Sequence, residues 1–311
     1  MLDKEFQKES KRIIDRALSI SNWACLCKWC ENKTINSHLL QRHGVLDNIT
    51  ENGHMYEVKP KNIFNPSNNR MQFQKVGINN ALSWPIYCNK HDTELYKPIE
   101  CKILDCSNYK NQLLFSLRST CAELRKKEIR VEILRNMINE FILPPEEHHN
   151  IQVYIYGLDK GISDFRYYKN LIENELETTY HKFHFYNYTY PKIDIYSSST
   201  FSYIEYYDYA QKVRSEKPWE AVFFHVIPQA ESIQIIIGYH EDHCNDSIRK
   251  LTQEFGFLNC FTLGQKLTDL FAFHIEGWGL SPSLYKLIPE VKKQEYLKSF
   301  DDNIYYHEAS L

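Results

Sequence analysis

Two short pairs of metal-binding residue types, far apart in the chain, carry the most chemistry in this sequence: Cys27-Lys28-Trp29-Cys30 and, well downstream, Cys88-Asn89-Lys90-His91. A structural zinc ion takes four tetrahedral Cys or His ligands. Two close pairs joined by an intervening loop supply them with little loop-closure entropy inside each pair. The C-x-x-C half reads as a knuckle and the C-x-x-H half as the opening of a helix. Cys25 lies just before Cys27, so Cys25 with Cys30 is also an acceptable first pair, and the spacing leaves that choice open.

Between the pairs stand Ser37-His38, where a first strand leaving the knuckle would end, and the run Gly77-Ile78-Asn79-Asn80 that leads through Tyr87 into Cys88. After His91 come Asp92, Glu94 and Glu100, carboxylates on or near a helix start that could hold Mg2+ or Mn2+, with Asp92 the best placed. The set C-x-x-C, S-H, G-I-N-N and Y-C-x-x-H-D, ending at Pro98-Ile99-Glu100, resembles the HNH/treble-clef zinc nucleases. It also resembles bacterial zinc-finger proteins of anti-phage defence, among them ring-forming, phage-activated zinc-finger ribonucleases. The resemblance covers about the first third of the chain.

That resemblance implies a nucleic-acid-cleaving effector, with RNA favoured over DNA, a homo-oligomeric assembly and a phage protein as trigger. It makes His38 the general base, Asn79 or Asn80 the residue that orients it, and Asp92 a ligand of a divalent ion on the scissile phosphate. Zinc at Cys27, Cys30, Cys88 and His91 is then structural. The sequence departs from the pattern after the second pair: Thr93-Glu94-Leu95-Tyr96 follows Asp92 where such enzymes place a further histidine. Two other readings stay open. The module could bind nucleic acid or a protein without cutting it, or His38 could complete the zinc tetrahedron while Asp92 merely caps a helix. His43 and His54 read as ordinary surface or loop histidines near these candidates.

Composition narrows the setting. Nine cysteines, an odd number, are spread over 311 residues, and the first residues, Met1-Leu2-Asp3-Lys4-Glu5, open no apolar run. This points to a reducing, cytoplasmic environment rather than a disulfide scaffold. No apolar stretch approaches the length of a membrane span. Net charge is −3, but residues 1–150 carry 22 Lys+Arg against 18 Asp+Glu and residues 151–311 carry 15 against 22. The half with the metal-ligand pattern is the more basic, which suits a polyanion-facing module.

The elements that must position these residues read as an α+β protein. It would have an N-terminal zinc-stapled module and long helix over 1–143 and a C-terminal assembly or sensor domain with antiparallel sheet and helices over 144–311. Residues 3–20 read as a helix, and 23–100 as loop-rich chain held more by metal than by core, with a polar excursion at Asn62–Arg70. Apolar residues at Leu113, Leu117, Cys121, Leu124, Val131, Leu134, Ile138 and Phe141 predict a long helix over 108–141. Its Arg118, Arg125, Lys126, Lys127 and Arg130 would line a solvated face, and Pro144-Pro145 would end it. Beyond it the pattern predicts a strand at 151–156, a helix at 163–176, and strands at 181–190 and 201–209. A hairpin of 221–227 with 232–239 and helices near 246–255, 263–276 and 283–299 follow. His240, Asp242, His243 and Cys244 group together but lack a spaced partner pair and read as a loop.

Overall fold

The computed structural model describes residues 4–60, 71–101, 104–140, 145–178, 180–203 and 217–309. Helix α1 (Lys4–Leu18) leads into the knuckle region. A two-stranded antiparallel ribbon then forms from β1 (Asn36–His38) and β4 (Ser83–Pro85), and helix α2 (Asn89–Tyr96) follows β4 directly. Between β1 and β4 the chain makes the hairpin β2 (His54–Pro60) and β3 (Met71–Gly77). Two 31-residue helices, α3 (Tyr109–Asn139) and α4 (His148–Thr178), come next. The remainder supplies strands β5 (Phe183–Pro191), β6 (Ile195–Ser202), β7 (Ala221–Pro228), β8 (Ser232–His240) and β9 (Trp278–Leu280). Its helices are α5 (Asp246–Glu254), α6 (Cys260–Phe273), α7 (Pro282–Leu287) and α8 (Glu290–Ala309).

Seven strands form one antiparallel sheet in the order β3-β2-β9-β6-β7-β8-β5. β2 and β3, from the sequence between the two metal-ligand pairs, thus share a sheet with strands from the far end of the chain. The period-two alternation of a strand sorts side chains between the sheet's two faces. On β7, Phe223 and Ile227 join the cluster shared with Leu113, Phe115 and Tyr87, whereas Val222, Phe224 and Val226 join the cluster shared with Leu251, Leu267 and Phe300. Both faces are covered, so the sheet is the middle of three layers, with α3 and α4 on one side and the C-terminal helices on the other.

Helix α3 lies where the 3.6-residue pattern placed it, and Asn108 caps it by accepting from the Asn111 amide. Its charged residues, however, do not form a solvated face. Every residue from Asn111 to Ala122 is buried, Arg118 completely, and further along Arg125 and Lys127 are buried as well. The reason is location: α3 packs against α1, α4, β4, β6 and β7, so no side of it is left to water over those turns. At its closest approach to the sheet, the Ser119 hydroxyl meets that of Thr200 at 2.7 Å.

The strand expected at 151–156 is instead the first turns of α4. Its β-branched residues mimic strand alternation, but Ile155, Leu158, Ile162 and Phe165 recur at three and four and pack on Leu124 and Val131 of α3. The helix expected near 283–299 is split into α7 and α8 at Ile288-Pro289, where proline cannot supply the backbone donor. The hairpin β7-β8 and strand β5 match the expected pattern. Residues 62–70, Phe141, Pro144 and the part of 201–209 beyond 203 lie outside the described residues. The 23–100 region also supplies core: Leu39, Leu40, Leu46, Met55, Ile86 and Tyr87 are fully buried in the shared cluster.

Gly238 marks a tight point of the sheet: a Cβ there would sit 2.7 Å from the His184 carbonyl oxygen and closer still to the Phe185 ring. Gly238→Ala should therefore destabilise the fold by about 1–3 kcal/mol through overpacking. Urea denaturation followed by circular dichroism, with the slope unchanged and the midpoint lowered, would register it.

Candidate metal centre and the histidine beside it

The knuckle is built from backbone hydrogen bonds before any metal is considered. The Cys25 amide donates to the Asn32 carbonyl at 3.0 Å, Leu26 donates to Ile86 at 3.0 Å, and Cys30 closes the turn by donating to Cys27 at 3.2 Å. Trp29 takes a left-handed conformation (φ 62°) to complete that turn. The Ile35 amide donates to Tyr87, Leu39 donates to Leu82, and the Tyr87 amide donates to the Ser37 hydroxyl, so the β1-β4 ribbon runs straight into Cys88 and α2. From α3, Arg125 reaches across and donates to the Ala24 carbonyl at 2.7 Å.

This scaffold brings together Cys25, Cys30, Cys88 and His91, whose ligand atoms all lie within 4.8 Å of one another. The Cys30 and Cys88 sulfurs are 3.9 Å apart, and His91 Nδ1 is 3.4 Å from both the Cys25 and the Cys88 sulfur. Zinc–sulfur and zinc–nitrogen bonds of about 2.3 and 2.0 Å give tetrahedral edges of about 3.8 Å between sulfurs and about 3.6 Å between sulfur and nitrogen. The separations fit a single Zn2+, and three Cys with one His is a common structural donor set. Asn32 Nδ2, 4.0 Å from the Cys88 sulfur, adds an outer contact of the kind that orients a ligand.

The structure corrects one ligand. Cys27, expected with Cys30, is not in the cluster, and Cys25 takes its place. The 27–30 segment is itself the turn, so Cys27 is spent on its first corner and its side chain packs against the apolar core. Cys25, paired into the short bridge between Ala24 and Lys33, approaches the same point as Cys30 from the opposite side of that turn.

His38 ends β1 and is not among the four. Its Nε2 lies 3.2 Å from the Ile78 carbonyl oxygen. A carbonyl can only accept, so Nε2 carries the proton and Nδ1 keeps a lone pair. Burial, with the nearby Arg42 charge, holds the His38 imidazole below its ordinary value and keeps it neutral near pH 7. The orienting group is thus the backbone of the 78–80 turn rather than Asn79 or Asn80. The Asn79 side-chain Oδ1 accepts from Arg42 at 2.7 Å, and Asn80 is exposed.

Asp92, in the first turn of α2, is engaged by Arg118: Nη2 donates to Asp92 at 3.2 Å and to Glu100 at 2.6 Å, while the guanidinium stacks on Tyr96 at 4.1 Å. Arg118 Nε and Nη1 have no hydrogen-bond partner. The node ties the metal-bearing helix to α3, and it is the functional feature the sequence reading passed over. Its signal was present: Leu113 to Ala122 contains one charge in ten residues, and a helix apolar all round is buried, so a lone arginine in it needs buried anions.

Among the described residues the Cys/His cluster is the one group with the composition and closeness of a metal site. His43 binds Asp47 at 2.9 Å on the surface, and His54 contacts the Asn52 carbonyl. His243 bonds Tyr167 at 2.8 Å, and Asp242 pairs with Lys182, which makes that segment a pinned turn. A cavity of about 520 Å³ lies beside the knuckle, lined in part by Trp23, Arg125, Arg135 and Arg166. Each of these guanidiniums is held by a carboxylate, Glu128 or Asp159, so the cavity is cross-braced.

Comparison of the chain with family models, with curated proteins and with solved structures found no match. No helix among the described residues is long and apolar enough to cross a membrane. The class defined by fold and site is a mixed helix–sheet protein with an antiparallel sheet and, near its N-terminus, a Cys/His cluster that could hold a metal ion.

Two outcomes test this arrangement. Cys25→Ser should lose bound zinc, measured by elemental analysis of purified protein, whereas Cys27→Ser should retain one ion per chain. Arg118→Met, which leaves Asp92 and Glu100 facing each other without a cation, should lower unfolding free energy by about 3 kcal/mol, near the lower end for a broken buried pair because Glu100 keeps some solvent contact. Guanidinium denaturation would measure it.

Proposed function

We propose that this chain is a nuclease, RNA favoured over DNA, whose zinc centre is a staple and whose general base is His38. What carries the reading is the environment of that histidine: neutral through burial, its tautomer set by the Ile78 carbonyl, and standing on the strand that pairs with the one entering the Cys/His helix. Two antiparallel strands followed by a helix, with the histidine on the first strand, is the arrangement expected for the HNH-like nucleases the sequence resembles. The basic balance of residues 1–150 agrees with a phosphodiester substrate.

In this mechanism His38 Nδ1 takes a proton from water as the oxygen attacks phosphorus. The bond to the leaving ribose oxygen breaks with its electron pair, and that oxygen is protonated by solvent. The Ile78 carbonyl stabilises the imidazolium that forms, as an acceptor on the far nitrogen. A divalent ion, when bound, would neutralise charge on the scissile phosphate; Asp92 is the candidate ligand, and it would have to share its carboxylate with Arg118. The anti-phage role and ring assembly belong to the same proposal and rest on the resemblance alone.

A second reading is favoured by one observation: Asp92 and Glu100 are both occupied by Arg118, and no second metal cluster stands among the described residues. On it, the module grips nucleic acid without cutting it.

Labelled RNA and DNA incubated with and without Mg2+ separate the two. The nuclease reading expects His38→Ala to abolish cleavage with zinc retained; binding without turnover in the wild type favours the second. The pH profile adds an independent check. Because the folded histidine titrates below the ordinary value of about 6.5, activity should hold at pH 6.5 and fall only as pH drops through the lower folded value.

A further inference from the structure

Trp29 is fully exposed, the most exposed large apolar side chain among the described residues. An indole of that size is ordinarily at least half covered. Its backbone is also held in the left-handed region (φ 62°), a conformation that glycine adopts freely and that a bulky residue resists. The turn needs the left-handed conformation but not the indole, since a glycine would close it with less strain. Strain of this kind, held in place by the surrounding hydrogen bonds, points to a role for the side chain outside the fold.

The surroundings of Trp29 indicate what it meets. Lys28 precedes it, Lys33 follows the turn, and Lys90 lies between the ligands Cys88 and His91. All three are exposed, with Glu31 the one exposed carboxylate in the same turn. Lys28 reaches the mostly covered Glu173 at 3.6 Å, a long contact that phosphate could replace. An exposed aromatic face on a turn flanked in sequence by exposed lysines, with Lys90 beside the ligands it converges on, is suited to an unpaired base with its phosphates alongside, since every base has a face to stack and stacking needs no particular sequence. A protein partner would call for an apolar surround, which these residues do not provide.

We propose that Trp29 is a stacking platform with which the knuckle grips an unpaired base of single-stranded nucleic acid, Lys28, Lys33 and Lys90 holding the backbone. This rests on the reading that the chain acts on nucleic acid, and it adds that the strand is met unpaired and which residue meets it. Cys25 and Cys30, at the two sides of the turn that carries Trp29, both belong to the Cys/His cluster, so the platform stands on the part of the knuckle that an ion would hold.

The test uses fluorescence anisotropy with dye-labelled single-stranded RNA of about twelve nucleotides and the matching duplex, at low salt without Mg2+. Zinc content and denaturation midpoint are measured for each variant. Trp29→Ala should weaken single-strand binding roughly tenfold or more, and Trp29→Phe should keep most of it. Duplex binding should change little. Trp29→Gly should lose binding while its midpoint rises, because the strained backbone relaxes. Unchanged single-strand affinity in Trp29→Ala, or a drop in midpoint and zinc content that accounts for the loss, would overturn the platform. Wild-type protein that neither binds nor cuts any nucleic acid would instead overturn the nuclease reading, whereas wild-type and Trp29→Ala proteins that cut and bind alike would remove only this inference.

Discussion

The convergence of three sulfurs and one imidazole nitrogen on a single point is the constraint on which the N-terminal architecture depends. Cys25 and Cys30 belong to a turn that has little core of its own, and Cys88 and His91 open a short helix. Joined through one ion, they would fix the two ends of a 58-residue excursion that includes β1, the β2-β3 hairpin and β4. Without that junction the β1-β4 ribbon, three residues on each side, would have to hold its register on few hydrogen bonds. With it, the position of His38 relative to the helix becomes a matter of geometry rather than of loop sampling.

A second tie spans α2, from Asp92 in its first turn to Tyr96 at its end and Glu100 beyond. Arg118 is wholly buried, and its guanidinium is shared between Asp92, Glu100 and the face of Tyr96. A buried charge is tolerated only where its partners are fixed, so this node holds the metal-bearing helix to α3 and, through α3, to the sheet. The same helix carries the thiol of Cys121, which accepts from the Tyr87 hydroxyl immediately before the ligand Cys88. Metal centre and core are therefore coupled at several points, and a disturbance of one is expected to reach the other.

Much of this was legible in the sequence where a local period or a ligand spacing decides the outcome. The long helix α3 and the β7-β8 hairpin follow from periodicity, and three of the four ligands follow from pair spacing. What was illegible depends on neighbours. Residues 151–156 alternate like a strand, and only the presence of α3 alongside turns Ile155 and Leu158 into a helical seam. The spacing of Cys25, Cys27 and Cys30 permits two pairings, and the turn's own hydrogen bonds choose between them. The burial of Arg118 and the service of the Ile78 carbonyl to His38 arise from contacts across 18 to 40 residues, which no local pattern encodes.

The measurement closest to the central claim is zinc K-edge X-ray absorption on the purified wild-type chain, beside its Cys25→Ser and Cys27→Ser variants. The account predicts a first shell of three sulfurs at about 2.3 Å and one nitrogen at about 2.0 Å, kept in Cys27→Ser and lost or altered in Cys25→Ser. A four-sulfur shell, or a shell that changes with Cys27 and not with Cys25, would contradict it.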